Sequence, residues 1–110
     1  MERLVKGDVV VLDFPFSNLI ELKRRPALII KVPKGEDIIV CQITAKSQEK
    51  SMEIPITNND FIKNGLKRDS YIRLDKITSI KNTRIKYKIG SIKQEKFNKI
   101  VDNVCSFLKN

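Results

Sequence analysis

The sequence predicts a mainly β domain of the α+β class: a small, strongly curved antiparallel sheet or partial barrel with one C-terminal helix at about residues 92–109. Three observations predict it. Short β-branched runs follow one another through the first two-thirds of the chain, separated by tight turn signals. The apolar period changes from two to 3.6 only near the C-terminus. A length of 110 residues suits one core, so a single domain over 1–110 is expected, with no internal repeat or boundary.

The elements follow in order. Val9–Phe14 is a β-branched run behind the turn signal Gly7-Asp8. Pro26–Val32 is a second apolar run, and Pro26, which has no N–H to donate, is expected to open that strand or lie on an edge. Pro33–Asp37 is a turn cluster. Ile38–Thr44 is almost continuously apolar, as a central strand buried on both faces would be. Met52, Ile54 and Ile56 alternate with polar positions, and Pro55 argues for an edge. Asn58–Gly65 reads as one helical turn, capped by Asn or Asp and ended by Gly65. Tyr71–Asp75 alternates again and continues extended to Ile80; Tyr87–Gly90 adds a short strand. In the last element, Ser91 and Gln94 fit a capping box. Phe97, Ile100, Val101, Val104, Phe107 and Leu108 then fall on one helical face.

Composition narrows the chemistry. The net charge of +9 draws the chain toward polyanions, nucleic acid or an acidic protein, although a merely lysine-rich soluble surface gives the same sum. With no His and only Cys41 and Cys105, a four-ligand Cys/His zinc site is excluded, and so are Ser-His-Asp and Cys-His pairs. Both cysteines are expected to pack in the core. The aspartates are scattered, with no recognisable metal-binding pair, so no metal and no cofactor is expected. No run is apolar enough to span a membrane, and Met1–Gly7 has no apolar core of a signal peptide, so a cytoplasmic location is expected.

Two features could carry chemistry: the basic cluster Lys23-Arg24-Arg25 beside a turn, and the hydroxyl of Thr44 where a buried strand ends. Taken alone, the first reads equally well as a solvated loop and the second as an ordinary strand end. Residues Phe14 to Lys23 read as a long first-hairpin loop, of the kind that often carries function. There, Phe16 could stack on a base or fold back on the core, while Lys23 and Arg24 could meet phosphates. Lys46, Gln48 and Lys50 could line the same groove or remain solvated.

Several segments in order resemble the MazF/PemK toxin family. Gly7-Asp8-Val9-Val10-Val11 and Asp13-Phe14-Pro15-Phe16-Ser17 are similar to the opening of its PemK-like branch. Arg25-Pro26-Ala27-Leu28-Ile29-Ile30 resembles the family's Arg-Pro run, and Ile43-Thr44-Ala45-Lys46 its Ile-Thr strand end. Lys67–Ile72 and Leu74–Ile80 resemble the later strand and its continuation. Asn18–Leu22 stands where the MazF branch has a Gly-rich stretch, which is closer to the PemK-like branch.

The resemblance implies an SH3-like barrel of the CcdB/MazF type that pairs into a homodimer. It also implies cleavage of single-stranded RNA at a short motif without a metal, control by an acidic antitoxin protein, and Arg25 and Thr44 as catalytic residues. Phe16, Lys23, Arg24 and Lys46 would bind RNA. Two other readings fit the same fold: a gyrase poison resembling CcdB, acting through its C-terminal helix, and a catalytically silent binding module.

Overall fold

The computed structural model describes residues 3–15, 22–48 and 50–110. Among them, six strands and one helix form: β1 (Asp8–Pro15), β2 (Leu22–Lys31), β3 (Asp37–Thr44), β4 (Glu53–Ile56), β5 (Ser70–Lys81), β6 (Ile85–Ser91) and α1 (Gln94–Lys109). The sheet order is β4-β5-β3-β2-β1-β6, with every neighbouring pair antiparallel. β3 is central as its apolar run requires, and β4, with the exposed Pro55, lies at an edge.

Side-chain alternation builds two cores. Val9, Leu28, Cys41, Ile43, Ile56 and Ile72 join Phe97, Ile100 and Val104 of α1 in one cluster. Val10, Leu12, Ala27, Ile29, Ile38 and Val40 form the other. The adjacent residues Val40 and Cys41 thus serve opposite faces. Each fully buried aliphatic side chain contributes roughly 1.5–3 kcal/mol.

The sheet is rolled rather than flat, with extents of 31 × 29 × 29 Å. Beyond β4 the chain turns back to β6: Phe61 bridges Ile92, the Ile62 N–H donates to the Ser91 carbonyl at 2.9 Å, and the Lys93 N–H to that of Asp60 at 2.8 Å. The two edges of the sheet therefore meet at one end. Gly90 permits this approach, since a Cβ there would lie 2.6 Å from the Asn64 carbonyl oxygen. Between Cys41 and Ile43, β3 advances two residues while its partner β5 advances five, from Ile77 to Ile72. This bulge bends β5.

The Gly7-Asp8 signal is a turn with a buried anchor. Gly7 has φ +97°, a conformation suited to glycine, and the Asp8 N–H donates to the Val5 carbonyl at 3.1 Å. The Asp8 side chain, 1% exposed, accepts from the Val5 N–H at 3.0 Å and the Ser91 hydroxyl at 2.7 Å, with the Lys88 ammonium 3.4 Å away. Asp8→Ala is expected to destabilise the fold by roughly 2–3 kcal/mol, because those donors lose a charged acceptor; urea unfolding measures the difference.

Several sequence expectations require correction. Pro26 neither opens β2 nor lies on a free edge: it sits mid-strand, paired with Val11. Its missing N–H is tolerated because the ladder to β3 begins only at Ala27, opposite Gln42. The first hairpin has no loop from Phe14 to Lys23; Phe14 pairs with Lys23 and Pro15 with Leu22, so Lys23, Arg24 and Arg25 are strand residues. The turn after β4 is a 3-10 turn at Asn58–Asp60 that begins after Thr57 and gives way to extended backbone at Phe61, not Gly65; the Thr57 N–H donates to the Asp60 carboxylate at 2.8 Å. Ser91 does not cap the helix, because it ends β6 and spends its hydroxyl on Asp8; α1 starts at Gln94. Leu108 is 68% exposed although it shares the apolar period, since it lies in the last turn.

Cys41 packs in the core, but Cys105 does not: it is exposed on α1. Burial pushes the Cys41 thiol up to about 12. A maleimide at neutral pH is expected to label Cys105 and spare Cys41 in the native protein, with both labelled in denaturant; mass spectrometry reads the count.

Candidate functional site: a cationic groove at the parting of two strands

Extending the β2–β3 register two steps beyond Ala27–Gln42 sets Arg25 opposite Thr44. No ladder pair forms there: β2 continues against β1 alone, and β3 ends. The strands part, and a groove of about 540 Å³ opens between them.

Its walls come from four places in the chain. β2 supplies Arg25 and Pro26; the end of β3 and the following turn supply Ile43, Thr44, Ala45 and Lys46. The segment before β5 adds Gly65, Leu66, Lys67 and Arg68, with Ser70 at its start, and β6 adds Tyr87 and Ile89. Arg25, Lys46, Lys67 and Arg68 are cationic, Thr44, Ser70 and Tyr87 carry hydroxyls, and among the described residues no carboxylate lines the groove. Such a surface attracts a polyanion and offers apolar area between its charges.

Arg25 is half-buried, and no acceptor among the described residues holds its guanidinium. Its planar donors are therefore available to a ligand. The Thr44 hydroxyl makes two long local contacts, accepting from the Lys46 N–H at 3.3 Å and donating to the Lys46 carbonyl at 3.4 Å. Both are well beyond the usual length for a hydroxyl bond, so little is lost when it turns to a better partner.

Behind this groove, a polar network fixes the turn that carries Lys46. Glu53, 9% exposed, accepts from the Ser47 hydroxyl and the Gln48 N–H, each at 2.7 Å. Arg73, in the β5 bulge and 7% exposed, donates to both carboxylate oxygens of Asp75 at 2.9 Å and to the Gln48 side-chain carbonyl at 2.8 Å. Burial acts to raise the Asp75 carboxyl, but the hydrogen bonds and charge of Arg73 outweigh it and hold the group below its ordinary 3.8.

Of the residues singled out in the sequence, Arg25, Thr44 and Lys46 meet in the groove. Arg24 points elsewhere, 3.8 Å from Asp13, which also pairs with Lys86 at 3.3 Å. Lys23 is exposed and outside the groove, and Gln48 is committed to Glu53 and Arg73. Lys50 is exposed in a 3-10 turn. Phe16 lies outside the described residues. Sequence reasoning did not single out Lys67, Arg68, Ser70 or Tyr87 as site residues. The available signal was Lys86-Tyr87-Lys88, an aromatic between two lysines in a short strand.

Among the described residues, no three His, Cys, Asp or Glu side chains stand close enough to hold a metal ion, and no helix is long and apolar enough to cross a membrane.

Comparison with solved structures gives close matches in fold at low identity. A mycobacterial endoribonuclease in complex with its cognate antitoxin matches with a TM-score of 0.77 and 15% identity, over 97% of this chain and 96% of that one. The Mycobacterium tuberculosis toxin MazF-mt6 gives 0.73 and 18%, over 93% and 96%. A MazE-MazF structure from Deinococcus radiodurans gives 0.74 and 17%, over 96% of both chains. Comparison with curated proteins finds no match. The sequence profile of the PemK-like, MazF-like toxins matches residues 5–108. With nearly the whole chain matched, this protein belongs to the PemK-like, MazF-like toxins of type II toxin-antitoxin systems.

Proposed function

We propose that the chain is an endoribonuclease toxin that cleaves single-stranded RNA at a short motif without a metal, using Arg25 and Thr44. The observation that carries this reading is their position across the parting of β2 and β3, in a groove where the described residues supply four cations and no carboxylate.

In the proposed reaction the substrate's 2′-hydroxyl gives its proton to solvent as its oxygen attacks the adjacent phosphorus, and the bond from phosphorus to the 5′-oxygen breaks as that oxygen takes up a proton. The products are a 2′,3′-cyclic phosphate and a 5′-hydroxyl. Arg25 presents paired N–H donors to the phosphoryl oxygens, where charge builds. Thr44 turns its hydroxyl from Lys46 to the same phosphate. Lys46, Lys67 and Arg68 hold flanking phosphates, and Tyr87, 55% exposed, offers a face for base stacking. Lys23 and Arg24, outside the groove, add to the field that draws RNA in.

The same reading has the toxin acting in the cytoplasm as a homodimer. An acidic antitoxin would neutralise it by covering the cationic groove. The structurally similar mycobacterial endoribonuclease, solved in complex with its cognate antitoxin, supports that partner.

The test incubates purified protein with mixed-sequence single-stranded RNA in EDTA and maps the fragment ends. Cutting at a recurring motif that survives EDTA is expected. Intact RNA would reject the reading in favour of a gyrase-type toxin or a silent binding module. Tyr87→Ala is expected to weaken binding of a non-cleavable 2′-O-methyl oligonucleotide by about 1–3 kcal/mol, the range for loss of one stacked base. Fluorescence anisotropy at fixed salt measures it.

A further inference from the structure

A second hollow, of about 400 Å³, adjoins the groove and shares Ile89 with it. Its walls are Ile62, Lys63 and Asn64 on one side and Lys88 to Ser91 on the other. The same two stretches of chain thus flank both spaces: the segment leading into β5, and β6. Ile89 is the wall common to both, with Tyr87 on the side of Arg25 and Thr44 and Asn64 on the other. Among the described residues no carboxylate lines either part.

The second hollow has the parts needed to read a base. Ile62, 68% exposed, has no core to join and presents an apolar surface beside half-buried Ile89. Asn64 is exposed and carries both a donor and an acceptor, the pair that can bind a base edge bidentately. Lys63 is exposed at the rim, where a phosphate would pass. The walls are held by backbone: the Ile62 N–H donates to the Ser91 carbonyl at 2.9 Å, and the Asn64 carbonyl packs on Gly90. A space built this way needs little rearrangement to accept a ligand.

Resting on the ribonuclease reading, we infer that this hollow is a nucleotide subsite. It receives a base of the same RNA strand, on one side of the cleaved bond, and contributes to the cleavage motif. Asn64 reads the base edge, Ile62 and Ile89 hold its face, and Lys63 meets the phosphate. The ligand is single-stranded, because the base must be unpaired for its edge to reach Asn64.

The experiment compares wild type with Asn64→Ala and Lys63→Glu in two assays. The first sequences fragment ends from a randomised RNA pool. The second measures binding of 2′-O-methyl oligonucleotides of increasing length. Both side chains are exposed, and Asn64→Ala keeps the backbone carbonyl against Gly90, so folded variants are expected; circular dichroism checks this. Asn64→Ala should flatten base preference at one flanking position by about tenfold. Lys63→Glu should weaken long oligonucleotides about tenfold and leave the shortest unchanged.

Cutting with wild-type preference and wild-type length dependence in both variants would overturn the subsite while leaving the ribonuclease reading intact. Absence of cutting, with the length-dependent binding loss still present, would overturn the ribonuclease reading and with it the role in the cleavage motif, while keeping the hollow as a nucleotide subsite on a bound, uncut strand. Unchanged RNA behaviour with weakened binding of an acidic polyglutamate peptide would overturn the subsite and assign the hollow to a protein partner.

Discussion

Arg25→Ala is expected to lower RNA cleavage roughly 10²–10³-fold, the effect of removing one preorganised donor from a developing oxyanion. The loss should fall mainly on kcat, because Lys46, Lys67 and Arg68 remain to bind the strand. The fold should be unaffected: Arg25 has no acceptor among the described residues, and its strand is held by the β1 ladder on either side of it. Arg25→Lys should recover little, since an ammonium offers a point charge in place of a planar fork. Single-turnover cleavage of one defined oligonucleotide, beside urea unfolding of each variant, checks both halves. A tenfold or smaller loss, or an equal loss of stability, would place the catalytic charge elsewhere.

Arg73→Ala is expected to give the largest loss of stability among the polar substitutions considered, about 2–4 kcal/mol. Removing one partner of a buried ion pair costs about 3–5 kcal/mol, and the 23% exposure of the Asp75 side chain reduces that. Gln48 loses its donor as well, so the turn carrying Lys46 loosens and cleavage should fall without any change at Arg25 or Thr44. The same network predicts acid lability. Because Arg73 holds the folded Asp75 carboxyl below its ordinary 3.8, the contribution is fully present above that value and is lost as pH falls through the lower, folded one. Urea midpoints for wild type and Asp75→Asn should differ most at neutral pH and converge below about pH 4. Parallel pH curves would reject the role given to Asp75.

The network also clarifies why the site is placed where it is. A bulge in β5 brings Arg73 and Asp75 under the turn after β3, and that turn follows directly from Thr44. The parting of β2 and β3 at Pro26 supplies the opening. One side of the groove is thus a frayed ladder and another is a turn fastened by buried charge, so Arg25 and Thr44 are accessible but not loose.

Sequence pattern by itself determined the β-rich body, the central β3, the edge β4 and the terminal helix. Those follow from burial, and burial writes itself into local apolar periods of two and 3.6. As a candidate pair, Arg25 and Thr44 are legible only through an ordered set of motifs, since neither stands out by charge or spacing. The tertiary structure decided the rest. Lys67, Arg68 and Tyr87 reach the groove because the sheet rolls and its edges meet at Phe61 and Ile92, and no local pattern encodes that closure. Local sequence offers Ser91 as a cap because its partner, Asp8, lies at the far end of the chain. Lys23 and Arg24 read as loop residues in a polar stretch beside a proline; the pairing with β1 draws them into a strand, where Arg24 lies against Asp13. Local sequence sets the apolar face of each element, whereas tertiary packing decides how far that face is covered, leaving Cys105 and Leu108 exposed, and strand order and register decide which distant side chains meet.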